Sequence, residues 1–171
     1  MSTTAVPTSN AQLTTQQVAI MLQYTVEAYK TFEKLASSLP NPLAARMFSQ
    51  FQNDERANRD LIDMKAAEIA PTVKVTLGSD RAFGEVLEGE LSFREVVEFL
   101  IARERTMAKR LREFTGSGVP SDRNLLVYLE TVKRSHVVEL ERELELLKFD
   151  ADWWKREDAE WRIVHGAPEA R

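Results

Sequence analysis

Four times along this chain a helix-start signature opens a long amphipathic stretch, and this punctuation constrains the fold more than any other feature. Thr14 and Gln17 have the spacing of a capping box, and the stretch they open closes before Ser38-Leu39-Pro40. Asn41-Pro42 pairs an N-cap residue with proline at the first helical position, and its helix runs to about Ile69 before Pro71. Ser92 and Glu95 form a second capping-box pattern for a helix that ends at Gly116-Ser117-Gly118. Pro120-Ser121-Asp122 opens the last, which runs to about Lys148. Six glycines and six prolines in 171 residues fall well below the usual combined share of roughly 12%, too few for the turns of a sandwich or barrel. The expected class is all-α.

The connections set the topology. The first and last pairs of helices are joined by short turns and predict antiparallel hairpins, whereas about twenty residues from Pro71 to Leu91 predict one long crossover. Within it, Val73, Val75 and Leu77 suit a short extended segment, and Phe83, Val86 and Leu87 a helical turn over one end of the core. The hairpins also read as repeats. A shift of 79 lays Val18, Met21, Leu22, Phe32 and Leu35 over Val97, Leu100, Ile101, Leu111 and Phe114; a shift of 78 lays Met47, Phe48, Phe51 and Ile62 over Leu125, Leu126, Leu129 and Leu140. The expected organisation is a flexible segment over residues 1–13, a four-helix bundle over 14–148 and a C-terminal helix over 149–171.

Charge and cysteine content narrow the chemistry. With no cysteine, a disulfide framework, a thiolate zinc site, an iron–sulfur cluster and a cysteine nucleophile are excluded. A net charge of −4 with both signs interspersed gives no footprint for nucleic acid. The longest apolar run, Val18–Leu22, is far short of a membrane span, and the Ser/Thr/Gln-rich start does not resemble a secretion signal. A cytoplasmic protein without membrane or nucleic-acid partners is expected. Gly84 and Gly89 make no phosphate loop, and Arg103, Arg105, Lys109, Arg110 and Arg112 read as a solvated outer face interrupted by Glu98 and Glu113.

The informative residues interrupt the apolar stripes, because an unpaired buried charge costs several kcal/mol. On the third helix the stripe Phe93, Val97, Leu100, Met107, Leu111 and Phe114 has Glu104 at its centre. On the fourth, Leu125, Leu129, Val132, Leu140, Leu144 and Leu147 share their face with Lys133 and His136. On the second, Leu43, Met47, Phe51, Leu61 and Ile62 surround Asn58, flanked by Glu55 and Asp54. On the first, Met21, Tyr24, Ala28, Phe32, Leu35 and Leu39 form the face; Glu27 points away, and the repeat pairs Thr25 with Glu104.

These positions resemble the ferritin-like superfamily, rubrerythrins in particular, from Leu13 to Lys148. The resemblance implies an antiparallel four-helix bundle with one long crossover, and a metal pair held by one Glu from each of two helices and a Glu-x-x-His pair from each of the others. Carried onto this chain, the single glutamates fall at Thr25 and Glu104, and the pairs at Glu55/Asn58 and Lys133/His136, so Glu55, Glu104 and His136 alone match. Lys133 stands where a bridging carboxylate is expected, and a protonated ammonium is no ligand.

Three arrangements follow. Glu55, Lys133 and Glu104, with His136, Asn58 and Thr25, make a metal-free buried network. Alternatively Glu55, Glu104 and His136 hold a single Fe, Mn or Zn ion, assisted by Glu143 or Asp54. In the third, a rotated helix lets Glu27, Glu130 or Glu139 rebuild a fuller site. Correspondingly, the function expected is either a non-catalytic scaffold or binding protein, with no cofactor, or a metal-dependent oxidoreductase of the peroxide-reducing or ferrous-oxidising type. Trp153, Trp154, Trp161 and Val164 suggest a C-terminal fifth helix with an apolar side that docks on the bundle flank or joins two copies in a homodimer. His165, beside Gly166, is assigned no role.

Overall fold

The computed structural model describes residues 12–69, 91–114 and 118–157. Four helices pack against one another, with no strand among the described residues: α1 (Thr15–Ser38), α2 (Pro42–Ile69), α3 (Phe93–Phe114) and α4 (Pro120–Phe149). Their starts follow the local chemistry. The Thr14 hydroxyl accepts from the Gln17 N–H at 3.1 Å while Gln17 Oε1 accepts from the Thr14 N–H at 3.0 Å, so two end donors are satisfied reciprocally. Asn41 Oδ1 accepts from the N–H groups of Leu43 and Ala44, both at 2.9 Å, ahead of Pro42. Ser92 and Glu95 repeat the reciprocal pattern for α3.

The most extensive contacts join α1 to α2 and α3 to α4, the two hairpins, and α2 also meets α4. Phe32, Phe48 and Phe51 form an aromatic cluster between α1 and α2, with ring centroids 5.3–6.0 Å apart. At one end of the bundle α2 lies beside the start of α4, where Lys65 meets Asp122, and Asp122 Oδ2 accepts the Leu13 N–H at 2.9 Å. Leu13 is buried there, so core packing begins ahead of the Thr14 cap. At the other end α3 begins beside the α1–α2 turn. α2 therefore ends, and α3 begins, at opposite ends of the bundle.

That second end is closed by the chain after α4. Asn41 binds it from three sides: its N–H donates to the Trp154 carbonyl at 3.1 Å, and its Nδ2 to the carbonyls of Trp153 and Arg156 at 3.0 and 3.1 Å. Trp154 stacks on Phe93 at 5.3 Å, and Trp153 Nε1 donates to Glu143 Oε2 at 3.0 Å. Over the described part of the tail the regular element is a single 3-10 turn, Trp153–Lys155. Trp161, Val164 and His165 lie outside the described residues, as do residues 1–11 of the expected flexible segment, residues 70–90, where the crossover is expected, and residues 115–117.

Two helix faces are rotated from expectation. α2 buries Ala44, Phe48, Phe51, Glu55, Asn58, Ile62 and Lys65, while Leu43 and Met47 are half-buried and Leu61 is exposed. α4 buries Leu126, Leu129, Lys133, His136, Val137 and Leu140, while Leu125, Val132 and Leu144 are half-buried. At 100° per residue one position of drift is enough to move a stripe centre, and small or polar residues such as Ala44 and Lys133 carry little hydrophobic signal.

Candidate functional site

Midway along the bundle, each of the four helices contributes a polar group to one enclosed cluster. Glu55 comes from α2, Glu104 from α3, and Lys133 and His136 from α4; none exposes more than 2% of its surface. Lys133 and His136 are three residues apart, so one helical face delivers both. The Lys133 ammonium pairs directly with Glu55 Oε1 and lies 3.8 Å from Glu104 Oε2, 4.8 Å above the Tyr24 ring. A cation surrounded by two carboxylates and an aromatic face is well compensated despite its burial.

His136 is held at both ring nitrogens. Nδ1 lies 3.1 Å from Glu104 Oε2 and 3.7 Å from Glu55 Oε1, and Nε2 lies 3.1 Å from Asp54 Oδ2. Phe51 stacks on the imidazole at 4.0 Å and Phe32 meets it edge-on at 5.8 Å. With a carboxylate at each nitrogen, only the imidazolium donates to both. Burial works against that charge, but the bonds to Asp54 and Glu104 outweigh it and raise the pKa. Asp54 is in turn held below the ordinary carboxylate range, its own partial burial being overcome by the His136 bond.

The two central glutamates behave differently. Burial pushes Glu55 up, against the opposing charge of Lys133. Glu104 is equally buried, yet the Lys133 charge and the bonds from His136 and Tyr24 hold it down. Glu104 accepts from both His136 and Tyr24 Oη, the latter at 2.8 Å, whereas Glu55 accepts strongly from Lys133 alone and has the Glu104 charge beside it; its Oε2 receives only a long 3.5 Å contact from Asn58 Nδ2. Burial and the neighbouring Glu104 charge raise the Tyr24 pKa, so its hydroxyl stays a donor. An unbroken hydrogen-bonded path thus runs Asp54–His136–Glu104–Tyr24, from a side chain 30% exposed into the centre. Such a path can hold and pass a proton.

All six repeat-related positions, Thr25, Glu55, Asn58, Glu104, Lys133 and His136, are buried. The structure brings Glu55, Glu104, Lys133 and His136 into contact, with Asn58 at the edge through Glu55; Asn58 Oδ1 is buried without a hydrogen-bond partner. α1 reaches the cluster through Tyr24, one residue from Thr25. Tyr24 read from the pattern as apolar packing, but a buried tyrosine hydroxyl needs a partner, and that requirement was the available signal. Glu143 does not reach the cluster, since it binds Trp153 near the bundle's end. Glu130 pairs with Arg112 and Glu139 with Arg142 on the outside, and Glu27 accepts from Gln23 at 3.3 Å.

The donor set can be tested against metal ions. Glu55, Glu104 and His136 each offer a ligand atom within 4.8 Å of the others, a spacing compatible with one ion. A pair of divalent ions, however, calls for about four carboxylates, as in ferritin-like sites. Here two central carboxylates face the Lys133 ammonium, which binds Glu55 at Oε1, the oxygen 3.7 Å from His136 Nδ1. The residues do not fit a metal pair. Comparison with protein-family descriptions, with curated proteins and with solved structures gives no match for this chain.

Proposed function

We propose that the chain is a ferritin-like, rubrerythrin-like protein that has exchanged its metal pair for a buried lysine, and that it serves as a non-catalytic scaffold or binding protein. The observation that carries this reading is the Lys133 ammonium, ion-paired with Glu55 and 3.8 Å from Glu104 at the level where all four helices place polar groups. A fixed ammonium offsets one of the two carboxylate charges, and the His136 imidazolium beside Glu104 offsets the other, without a redox-active centre. The burial of all six repeat-related positions supports the family reading. So do the opposite ends at which α2 stops and α3 starts, which leave the chain between them the length of the bundle to cover. The Trp-rich tail begins by docking on its own bundle, through Trp154 on Phe93, and homodimer formation falls to the bundle flank or to the rest of the Trp-rich segment.

One observation favours a second reading, a metal-dependent oxidoreductase with a single Fe or Mn ion: the spacing of Glu55, Glu104 and His136. It requires Lys133 to leave or lose its proton and His136 to release Glu104. Elemental analysis of protein purified from iron- and manganese-supplemented cells separates the two. The scaffold reading expects far less than one ion per chain in both the native protein and His136→Ala. One ion per chain in the native protein, lost in His136→Ala, would overturn the metal-free reading and is what the oxidoreductase requires.

A further inference from the structure

On the side of the bundle away from Asp54, α1 and α3 enclose a second feature. Ile20, Gln23 and Tyr24 stand at i, i+3 and i+4 of one face, and Arg103, Thr106, Met107 and Arg110 at i, i+3, i+4 and i+7 of the other; between them lies a cavity of about 160 Å³. Its walls are of two kinds. Ile20, Met107 and the Tyr24 ring are apolar. Arg103 and Arg110 are cationic, and no Asp or Glu is among the residues lining it.

The polar inventory is one-sided. The Thr106 hydroxyl proton goes to the Ala102 carbonyl at 2.9 Å, and the Gln23 amide donates to Glu27 at 3.3 Å. The charged donors offered to the cavity are therefore guanidinium N–H groups, five on each arginine, enough for Arg103 to serve a ligand beside its other contacts. The Arg103 guanidinium sits 5.4 Å from the Tyr24 ring centroid, which fixes it at the wall. The groove beside Asp54, by contrast, mixes Arg46 with Asp54 and Glu139 and selects neither sign.

We propose that the α1–α3 cavity is a binding site for a small organic carboxylate, its anionic end held by Arg110 and Arg103 and its apolar body packed against Ile20, Met107 and Tyr24. Guanidinium matches carboxylate geometry bidentately, and charge-assisted bonds are roughly twice as strong as neutral ones. The volume is below the roughly 300–1,000 Å³ of sites for drug-sized ligands, which limits the occupant to about one ring. The site shares the Tyr24 ring with the central cluster but none of the residues that could hold a metal there, so its failure would leave the elemental analysis, and the function proposed above, untouched.

Benzoate is the probe, titrated into the full chain by calorimetry, with benzamide as its uncharged counterpart. Saturable one-to-one benzoate binding is expected, weakened about tenfold or more in Arg110→Gln and for benzamide. Thr106→Trp, which fills the cavity and leaves its charge unchanged, should also abolish binding. Arg110 and Thr106 are exposed, so the melting temperature without benzoate should stay at the native value in both variants. Absence of saturable binding, equal binding of benzamide, or benzoate binding that survives Thr106→Trp would each overturn the proposal.

Discussion

Lys133 and Lys65 are both buried lysines on long helices, and each pairs with a carboxylate of the facing helix, α2 with α4. Their surroundings differ. Lys133 exposes 2% of its side chain, and its partners Glu55 and Glu104 expose 0% and 1%. Lys65 exposes 8%; it binds the wholly buried Asp122 on one side and Glu68, 66% exposed, at 2.9 Å on the other. Asp122 also accepts the Leu13 N–H, so this second pair clips the chain ahead of α1 onto the bundle end. The end lysine reaches water directly through Glu68, whereas the groups around the central lysine connect to a partly exposed side chain only at a remove, through His136 to Asp54. The same ionic contact therefore acts as a clamp in one place and as an enclosed cation in the other.

Removing the cations should expose that difference. Lys133→Met leaves two buried carboxylates facing each other, and the chain should lose about 3–5 kcal/mol of unfolding free energy in urea. A loss below about 0.5 kcal/mol would mean the central carboxylates were never charged. Lys65→Met should cost about 1–2 kcal/mol, since Asp122 keeps its bond from Leu13 and lies close to the solvated end. Equal losses for the two lysines would erase the contrast between clamp and enclosed cation.

The pH dependence sharpens the comparison by a smaller effect. The folded pKa of His136 is raised above its unfolded value, so its contribution is fully present below about pH 6.5 and is lost as pH rises through the folded value. Asp54 and Glu104 are shifted the other way; their contributions are present above the ordinary carboxylate range and fade as pH falls through their lowered values. Thermal melts should accordingly show native stability declining on the alkaline side of about pH 6.5, and His136→Gln should flatten that limb. An unchanged limb would place the proton elsewhere.

Much of the fold was legible in local signals. The capping residues Thr14, Asn41 and Ser92 act within three or four positions of themselves, so their spacing in the sequence is already their geometry. The centre was legible because Glu104, Lys133 and His136 interrupt apolar stripes. What escaped were contacts that depend on packing between helices. Lys65 carried no signal in the sequence, and Asp122 only that of a helix start, because their pairing exists only once the ends of α2 and α4 are brought together. Tyr24 counted as core because its ring is apolar, while the role of its hydroxyl depends on where Glu104 sits. Arg103 read as solvated, yet the facing α1 half-buries it over Tyr24.

The central claim is that Lys133 is the counter-cation of the buried carboxylates. A double-mutant cycle between Lys133→Met and Glu55→Gln, read by urea unfolding, tests it most directly. If the claim holds, Glu55→Gln in the Lys133→Met background should recover more than about 1 kcal/mol, because it removes the charge left uncompensated. If the two losses simply add, Lys133 and Glu55 are not coupled, and the lysine does not hold the cation's place.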